Sequence, residues 1–92
     1  MITIKPSSDN PLVLSFDGEV LEVFRLSSSN RVHISIIDNL ELKTDKKGLH
    51  SLDINTIGGS VLQGNAVDEN AFPKITKLIA EVQKAKAGFK FD

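Results

Sequence analysis

The sequence predicts a mostly β domain over residues 1–92, a seven-stranded antiparallel barrel or sandwich capped by one C-terminal helix. Two patterns predict it. Up to about residue 67, short apolar or alternating segments recur roughly every 8–12 residues between tight-turn residues, which is typical of antiparallel sheets. From about residue 71, apolar residues recur with the 3.6-residue period of an amphipathic helix. Such a helix must bury its apolar stripe against the sheet.

The first three strands are predicted by their turn signals. Ile2–Lys5 precedes a polar segment that contains two prolines, and Leu12–Phe16 and Glu19–Leu26 flank the pair Asp17-Gly18. An Asp-Gly pair between two apolar segments favours a hairpin, because both turn residues tolerate a positive φ.

The middle of the chain predicts two alternating strands. The first is Arg31–Ile37, with one predicted face formed by Val32, Ile34 and Ile36. Asp38-Asn39 predicts a second tight turn, and Leu40–Thr44 continues the alternation.

Two further strands follow. Asp45–Gly48 predicts a four-residue turn, with glycine where a left-handed residue is needed. The strand His50–Ile57 then leads through a hairpin at Gly58-Gly59 into Ser60–Val67. In this last strand the residues expected to share one face are Leu62, Gly64 and Ala66.

The helix is predicted at about residues 71–87. Its apolar stripe consists of Phe72, Ile75, Leu78, Ile79, Val82 and Ala85. Asn70 is the expected N-cap, because Pro73 is tolerated only in the first turn, and Gly88 is expected to close the helix. Ile79 lies near the middle of the stripe, so we expect it to be almost fully buried.

The composition excludes several classes of protein. Eleven basic and twelve acidic residues give a net charge of −1, which argues against a general nucleic-acid binder. Cysteine is absent, which excludes disulfides, cysteine-ligated zinc and a thiol nucleophile. No apolar segment approaches the roughly 20 residues of a membrane span, and Met1–Lys5 lacks the pattern of a signal peptide. We therefore expect a cytoplasmic protein without a transmembrane segment.

The candidate catalytic residues are few. His33 and His50 lie on different predicted strands and match no metal-binding or catalytic spacing. His33 is expected on a solvated face, and His50 is expected to be half-exposed at the start of its strand. The sequence predicts a non-enzyme with no metal or cofactor. A small enzyme remains an alternative if the fold places either histidine beside a carboxylate in a pocket.

One group of basic residues is a candidate anion site. It consists of Arg25, Arg31, Lys43, Lys46 and Lys47. Such a patch could hold a phosphorylated lipid headgroup or another small anion. The alternative is a charged hairpin tip that keeps an exposed turn soluble, since Glu41 and Asp45 alternate with the lysines.

The chain resembles small bacterial domains of the pleckstrin-homology-like superfold. The resemblance is carried by seven strands followed by one helix and by the segments Arg31–Ile36, Leu40–Leu42, Asp45–Gly48 and Glu81–Ala85. It implies two nearly orthogonal sheets with the helix capping an open corner. It also implies a binding module for phosphoinositides, peptides or proteins, usually without catalysis. The lipid-binding members carry a basic pattern between the first two strands, where this chain has only Lys5.

The functional expectation is therefore a non-catalytic module that binds another protein or a peptide. Edge strands and the corner between the sheets beside the helix would accept an added strand. Exposed edges would also permit a homodimer. The anionic-ligand binder is the alternative, and the small enzyme is the third reading.

Overall fold

The structure is a computed structural model that describes residues 1–89, which form two antiparallel sheets and one helix. The first sheet has the order β1 (Ile2–Ile4), β2 (Val13–Phe16), β3 (Val20–Phe24) and β4 (Ser29–His33). The second has the order β5 (Ile37–Thr44), β6 (His50–Thr56) and β7 (Gly59–Val67). A 3-10 turn at Ile34–Ile36 joins the sheets, and α1 (Phe72–Gly88) follows β7. The predicted strand count and C-terminal helix are confirmed, but within residues 1–89 the sheets do not join into a closed barrel.

The β2–β3 turn forms as its Asp-Gly pair predicts. Gly18 has a φ of +100°, a conformation that side chains rarely adopt. Asp17 Oδ1 accepts the backbone N–H groups of Glu19 at 2.9 Å and Val20 at 2.8 Å. These two donors lower the pKa of the Asp17 carboxyl below its ordinary value.

Residues 31–39 differ from the prediction. β4 ends at His33, and the 3-10 turn places Ile34 and Ile37 in the core while Ile36 is 38% exposed. A 3-10 turn brings residues i and i+3 to the same side, so the two-residue alternation expected for Arg31–Ile37 is broken. The tight turn predicted at Asp38-Asn39 is also wrong. Both residues lie inside β5, where the pairing register shifts by a bulge.

β7 also contains a local irregularity. Gly64 has a φ of +62°, and its N–H donates to Asp53 Oδ1 at 2.7 Å. The register of β6 and β7 shifts along this stretch, so Leu62 and Val67 are buried whereas Gly64 and Ala66 are exposed. The shared face predicted for Leu62, Gly64 and Ala66 is therefore wrong. The β6–β7 turn itself falls one residue earlier than predicted, at residues 57–58.

The helix closes the core between the sheets. It contacts β1, β5 and the 3-10 turn, and the side chains it buries are Ile75, Leu78 and Val82. Ile79 is only half-buried, which corrects the expectation that it would be almost fully buried. One residue corresponds to a rotation of about 100°, so Ile79 lies at the margin of the stripe when Leu78 lies at its centre.

The entry to the helix is held by the main chain. Ala71 is the N-cap residue and makes no side-chain capping bond, so the predicted cap at Asn70 is wrong. Asp68 O accepts the N–H groups of Ala71 and Phe72. The Asp68 N–H donates to Pro6 O at 2.7 Å, and its carboxylate accepts the Ser8 N–H at 2.8 Å. This connection ties the start of α1 to the segment between β1 and β2.

Candidate functional site

The outer side of β5 presents main-chain groups that face away from its sheet. In an antiparallel pair, residues that exchange hydrogen bonds alternate with residues whose N–H and C=O point outward. The Asp45 N–H donates to Leu49 O at 2.9 Å beside the turn, so these two residues form a hydrogen-bonded pair. From Asp45 toward the start of β5, every second residue therefore exchanges main-chain hydrogen bonds with β6. The outward-facing residues are therefore Leu40, Leu42 and Thr44. Because β5 is an edge strand, no strand in residues 1–89 pairs with them on that side.

The helix runs alongside β5 in the opposite direction. At one end Phe72, the first residue of α1, packs against His50, which is paired with Thr44. At the other end Lys86 contacts the start of β5. The helix has 17 residues and the strand has eight, which correspond to lengths of about 25 Å each. The helix thus extends from His50, beside the end of β5, to the start of β5, and we name the outer edge of β5 together with this helix the β5–α1 edge.

Apolar side chains line the β5–α1 edge. Leu42 from β5 and Ile79 from α1 are half-buried at the margin of the core. At the start of β5, Ile36 is 38% exposed and Ile57 is 73% exposed. The Ile57 N–H donates to Ile36 O at 3.0 Å, so Ile57 continues β6 and lies on the side of Ile36 away from the outer edge of β5.

Lys86 holds the end of this edge. Its Nζ donates to the main-chain oxygens of Ile37 and, at 3.1 Å, of Asp38. Both acceptors are neutral carbonyl groups, and Lys86 forms no ion pair with a carboxylate in the part of the chain that the structure describes. The local sequence around Lys86 does not indicate these acceptors, since they lie about fifty positions away along the chain.

His50 lies under the N-terminal end of α1. Its ring centroid is 4.3 Å from that of Phe72, and only 11% of its side chain is exposed. Nε2 is 2.8 Å from Glu69 Oε2 and Nδ1 is 2.7 Å from Thr44 Oγ1. A carboxylate accepts only, so in the neutral ring Nε2 carries the proton and Nδ1 accepts from the threonine hydroxyl. The histidine is more buried than the half-exposed position predicted for it.

His33 lies at the other end of the helix. The Ser35 N–H donates to its Nδ1 at 3.1 Å and caps the 3-10 turn, and Nε2 is 3.0 Å from Glu19 Oε1. The ring makes an edge contact with Phe89 at 5.0 Å. Two-thirds of the side chain is buried, so His33 is a capping residue rather than the freely solvated residue expected.

The fold therefore brings each histidine beside a glutamate and a hydroxyl group. One condition of the small-enzyme alternative is met by this geometry. Its other condition is a pocket, and residues 1–89 enclose none. Within the same range, no group of three acidic or histidine side chains is arranged to hold a metal ion.

The five residues of the predicted anion site lie on both sheets. Arg25 follows β3 and Arg31 lies in β4, whereas Lys43 lies in β5 and Lys46 and Lys47 lie in the β5–β6 turn. The turn itself is closed by Asp45, whose Oδ1 accepts the backbone N–H groups of residues 47 and 49.

Three of these cations already have partners. The Arg25 guanidinium donates to the side-chain oxygen of Asn30 and to Val61 O, the latter at 2.6 Å. Arg31 Nε lies 4.0 Å from Glu22, and Lys43 Nζ lies 3.0 Å from Asp53 Oδ2. An anion would compete with these contacts. Anion binding stays a prediction.

The Lys43–Asp53 pair also has an electrostatic signature. The Gly64 N–H and the Lys43 ammonium both stabilise the charged carboxylate, so they lower the pKa of Asp53 below its ordinary value of 3.8. The same contact raises the pKa of Lys43. Asp53 is buried and joins β6 to Gly64 of β7 and to Lys43 of β5, which assigns this pair a role in holding the sheet.

Comparisons with protein-family models, with curated proteins and with solved structures find no significant match to this chain. The helix in residues 1–89 lacks the length and apolar character needed to cross a membrane.

Proposed function

We propose that this chain is a non-catalytic binding module that takes an extended segment of another protein as an added strand on the β5–α1 edge. The observation that carries the proposal is the set of outward-facing main-chain groups at Leu40, Leu42 and Thr44. Such groups bind an incoming strand by main-chain hydrogen bonds, and side chains beside the edge add specificity. Leu42 and Ile79 supply an apolar margin for that strand.

The proposed architecture is that of the pleckstrin-homology-like superfold. Four strands in one sheet, three in the next and a C-terminal helix beside both support it. Members of this superfold serve as binding modules, which agrees with the proposed role. We propose further that the protein is bacterial and acts in the cytoplasm.

The proposal is tested with short random peptides displayed on phage and selected on the intact protein. Hydrogen exchange measured by NMR then maps each selected peptide. We expect the amides of Leu40, Leu42 and Thr44 to exchange rapidly in the free protein and to become protected in the complex. Protection confined to another strand, or no selectable peptide, would overturn the proposal.

A matched pair of variants isolates the main-chain contribution. Leu42→Pro removes the outward N–H but is tolerated on an edge strand, whereas Leu42→Ala shortens the same side chain and keeps the N–H. We expect Leu42→Pro to bind the selected peptides at least about tenfold more weakly than Leu42→Ala. Equal affinities would show that strand addition is not the mode of binding.

The alternative functions have separate tests. An anion binder would bind an inositol phosphate or a nucleotide at low ionic strength and lose affinity as salt is added. Its variant is Lys46→Gln with Lys47→Gln, because these two lysines lie in the exposed turn. A second copy of this chain would also occupy a free edge, and sedimentation at several concentrations would reveal that dimer.

A further inference from the structure

We infer that the segment bound at the β5–α1 edge carries a carboxylate at its C-terminal end, which Lys86 binds, beside an apolar residue that packs on Ile36. This inference rests on the proposed function. It names the chemistry of the partner from the groups that the structure places at the start of β5.

The first step is the charge of Lys86. An ammonium has three N–H donors, and two of them are used by the carbonyl oxygens of Ile37 and Asp38. Neither acceptor neutralises the charge. Lys86 is half-buried and has no counter-ion among residues 1–89, and such a partly desolvated cation gains more from a carboxylate than an exposed lysine does. The third donor is therefore available to a carboxylate that arrives at this end of the edge.

The second step is the position of this charge relative to an added strand. The last outward-facing residue toward Lys86 is Leu40, and the next carbonyl groups along the edge are those that Lys86 already binds. An antiparallel partner is the more stable arrangement and would lie with its C-terminal end opposite Ile37. Its last residues then reach Lys86 after pairing with Thr44, Leu42 and Leu40.

The third step is the exposed apolar side chain at the same end. Ile36 precedes β5 directly and is 38% exposed. An apolar side chain of the incoming strand would cover part of it. The expected recognition element is thus an extended segment that ends in an apolar residue followed by a carboxylate.

The charge of Asp38, near the same end of β5, determines whether its substitution should strengthen or weaken peptide binding. Asp38 contributes its main-chain oxygen to Lys86, and its carboxylate is exposed and forms no ion pair with Lys86 in residues 1–89. This carboxylate repels an incoming one. Asp38→Asn should therefore strengthen peptide binding, whereas a purely structural role for Lys86 predicts no such gain.

The experiment compares carboxylate and amide forms of one selected peptide. The peptide is synthesised with its acidic residue replaced by the amide, with an amidated C-terminus, and with both changes. These arms distinguish a side-chain carboxylate from a terminal one. With the unmodified protein, we expect the modification that removes the carboxylate bound by Lys86 to weaken peptide binding about tenfold at low salt.

Protein variants complete the test. Lys86→Gln should abolish the preference for carboxylate over amide, while Lys84→Gln, an exposed lysine on the same helix, should retain it. A preference that survives in Lys86→Gln, or peptides selected without a carboxylate, overturns this inference. If peptide binding still depends on the Leu42 N–H in that case, the proposed function remains supported and only this inference fails. If Lys86→Gln fails to fold, the shift of the Lys86 side-chain NMR signals on addition of the two peptide forms decides the question.

Discussion

Asp53 shows how a single carboxylate stabilises an irregular strand. One of its oxygens accepts the Gly64 N–H at 2.7 Å, and the other lies 3.0 Å from Lys43 Nζ. The bulge in β7 removes Gly64 from the regular ladder, so this N–H needs a side-chain acceptor. The carboxylate thus connects all three strands of the second sheet.

The pKa of Asp53 gives a prediction for acid pH. Since its folded pKa lies below 3.8, Asp53 stabilises the fold above its unfolded pKa, and this contribution is lost as the pH falls through the folded pKa. We expect Asp53→Asn to have a lower urea midpoint than the parent at neutral pH. The difference should shrink below about pH 4. Asp38→Asn serves as an exposed control, and a difference that persists at pH 2 would contradict the prediction.

Gly64 gives a second prediction at this scale. Its φ of +62° is unfavourable for residues with a Cβ, although no atom lies near the position a Cβ would occupy. Gly64→Ala should therefore cost about 1–2 kcal/mol through the backbone alone. Gly88→Ala has equally open surroundings and lies in the last helical turn, so it should be neutral or stabilising. Equal urea midpoints for the two variants would show that β7 adjusts without cost.

Among the elements, α1 is defined by which of its residues point into the core. Ile75, Leu78 and Val82 follow the spacing of one helical face and are at most 1% exposed. Ile79 follows Leu78 directly but lies at the edge of that face. The helix therefore buries a narrow ridge and leaves a half-buried margin next to β5.

This arrangement predicts unequal costs for two neighbouring truncations. Leu78→Ala should destabilise the protein by about 2–4 kcal/mol, because it leaves a cavity among fully buried side chains. Ile79→Ala should cost about 1 kcal/mol, because part of the removed surface is already in water. The measurement is the free energy of unfolding in urea. Equal losses would indicate that the margin of α1 is as closely packed as its ridge.

At the scale of the whole molecule, the two sheets depend on the helix and on a few connections between chain segments. They share no strand ladder in residues 1–89. Side-chain bonds link them where Asn10 meets Asn65 at 3.1 Å and where Arg25 reaches Val61. The buried face of α1 fills the space between β1 and β5.

Removal of the helix should therefore open the core. A chain that ends at Asn70 should bind a hydrophobic dye and aggregate, because the inner faces of both sheets would meet water. A chain that ends at Gly88 keeps the buried ridge and should remain monomeric with little dye binding, unless its free edge pairs with a second copy. A soluble, cooperatively folded chain ending at Asn70 would contradict this view of the helix.

Local patterns were sufficient for the number of strands, the turns at Asp17-Gly18 and Asp45–Gly48, and the existence of α1. Turn chemistry and the helical period act over a few residues, so the sequence contains them directly. The same patterns failed to predict which residues are buried where the chain departs from the regular two-residue period of a strand. The 3-10 turn at Ile34–Ile36 and the bulge at Gly64 shift which residues are buried, and their stabilising bonds come from His33 and Asp53.

Sequence alone determined that this chain is mostly β with an amphipathic helix near its C-terminus. It also predicted that edge strands and the corner between the sheets beside the helix would accept an added strand. Only the tertiary structure decided which edge is flanked by α1, which main-chain groups face outward and where Lys86 lies. The reason is physical: Lys86 and Ile37 are 49 positions apart, and their contact depends on how the helix packs across the sheets rather than on either local sequence.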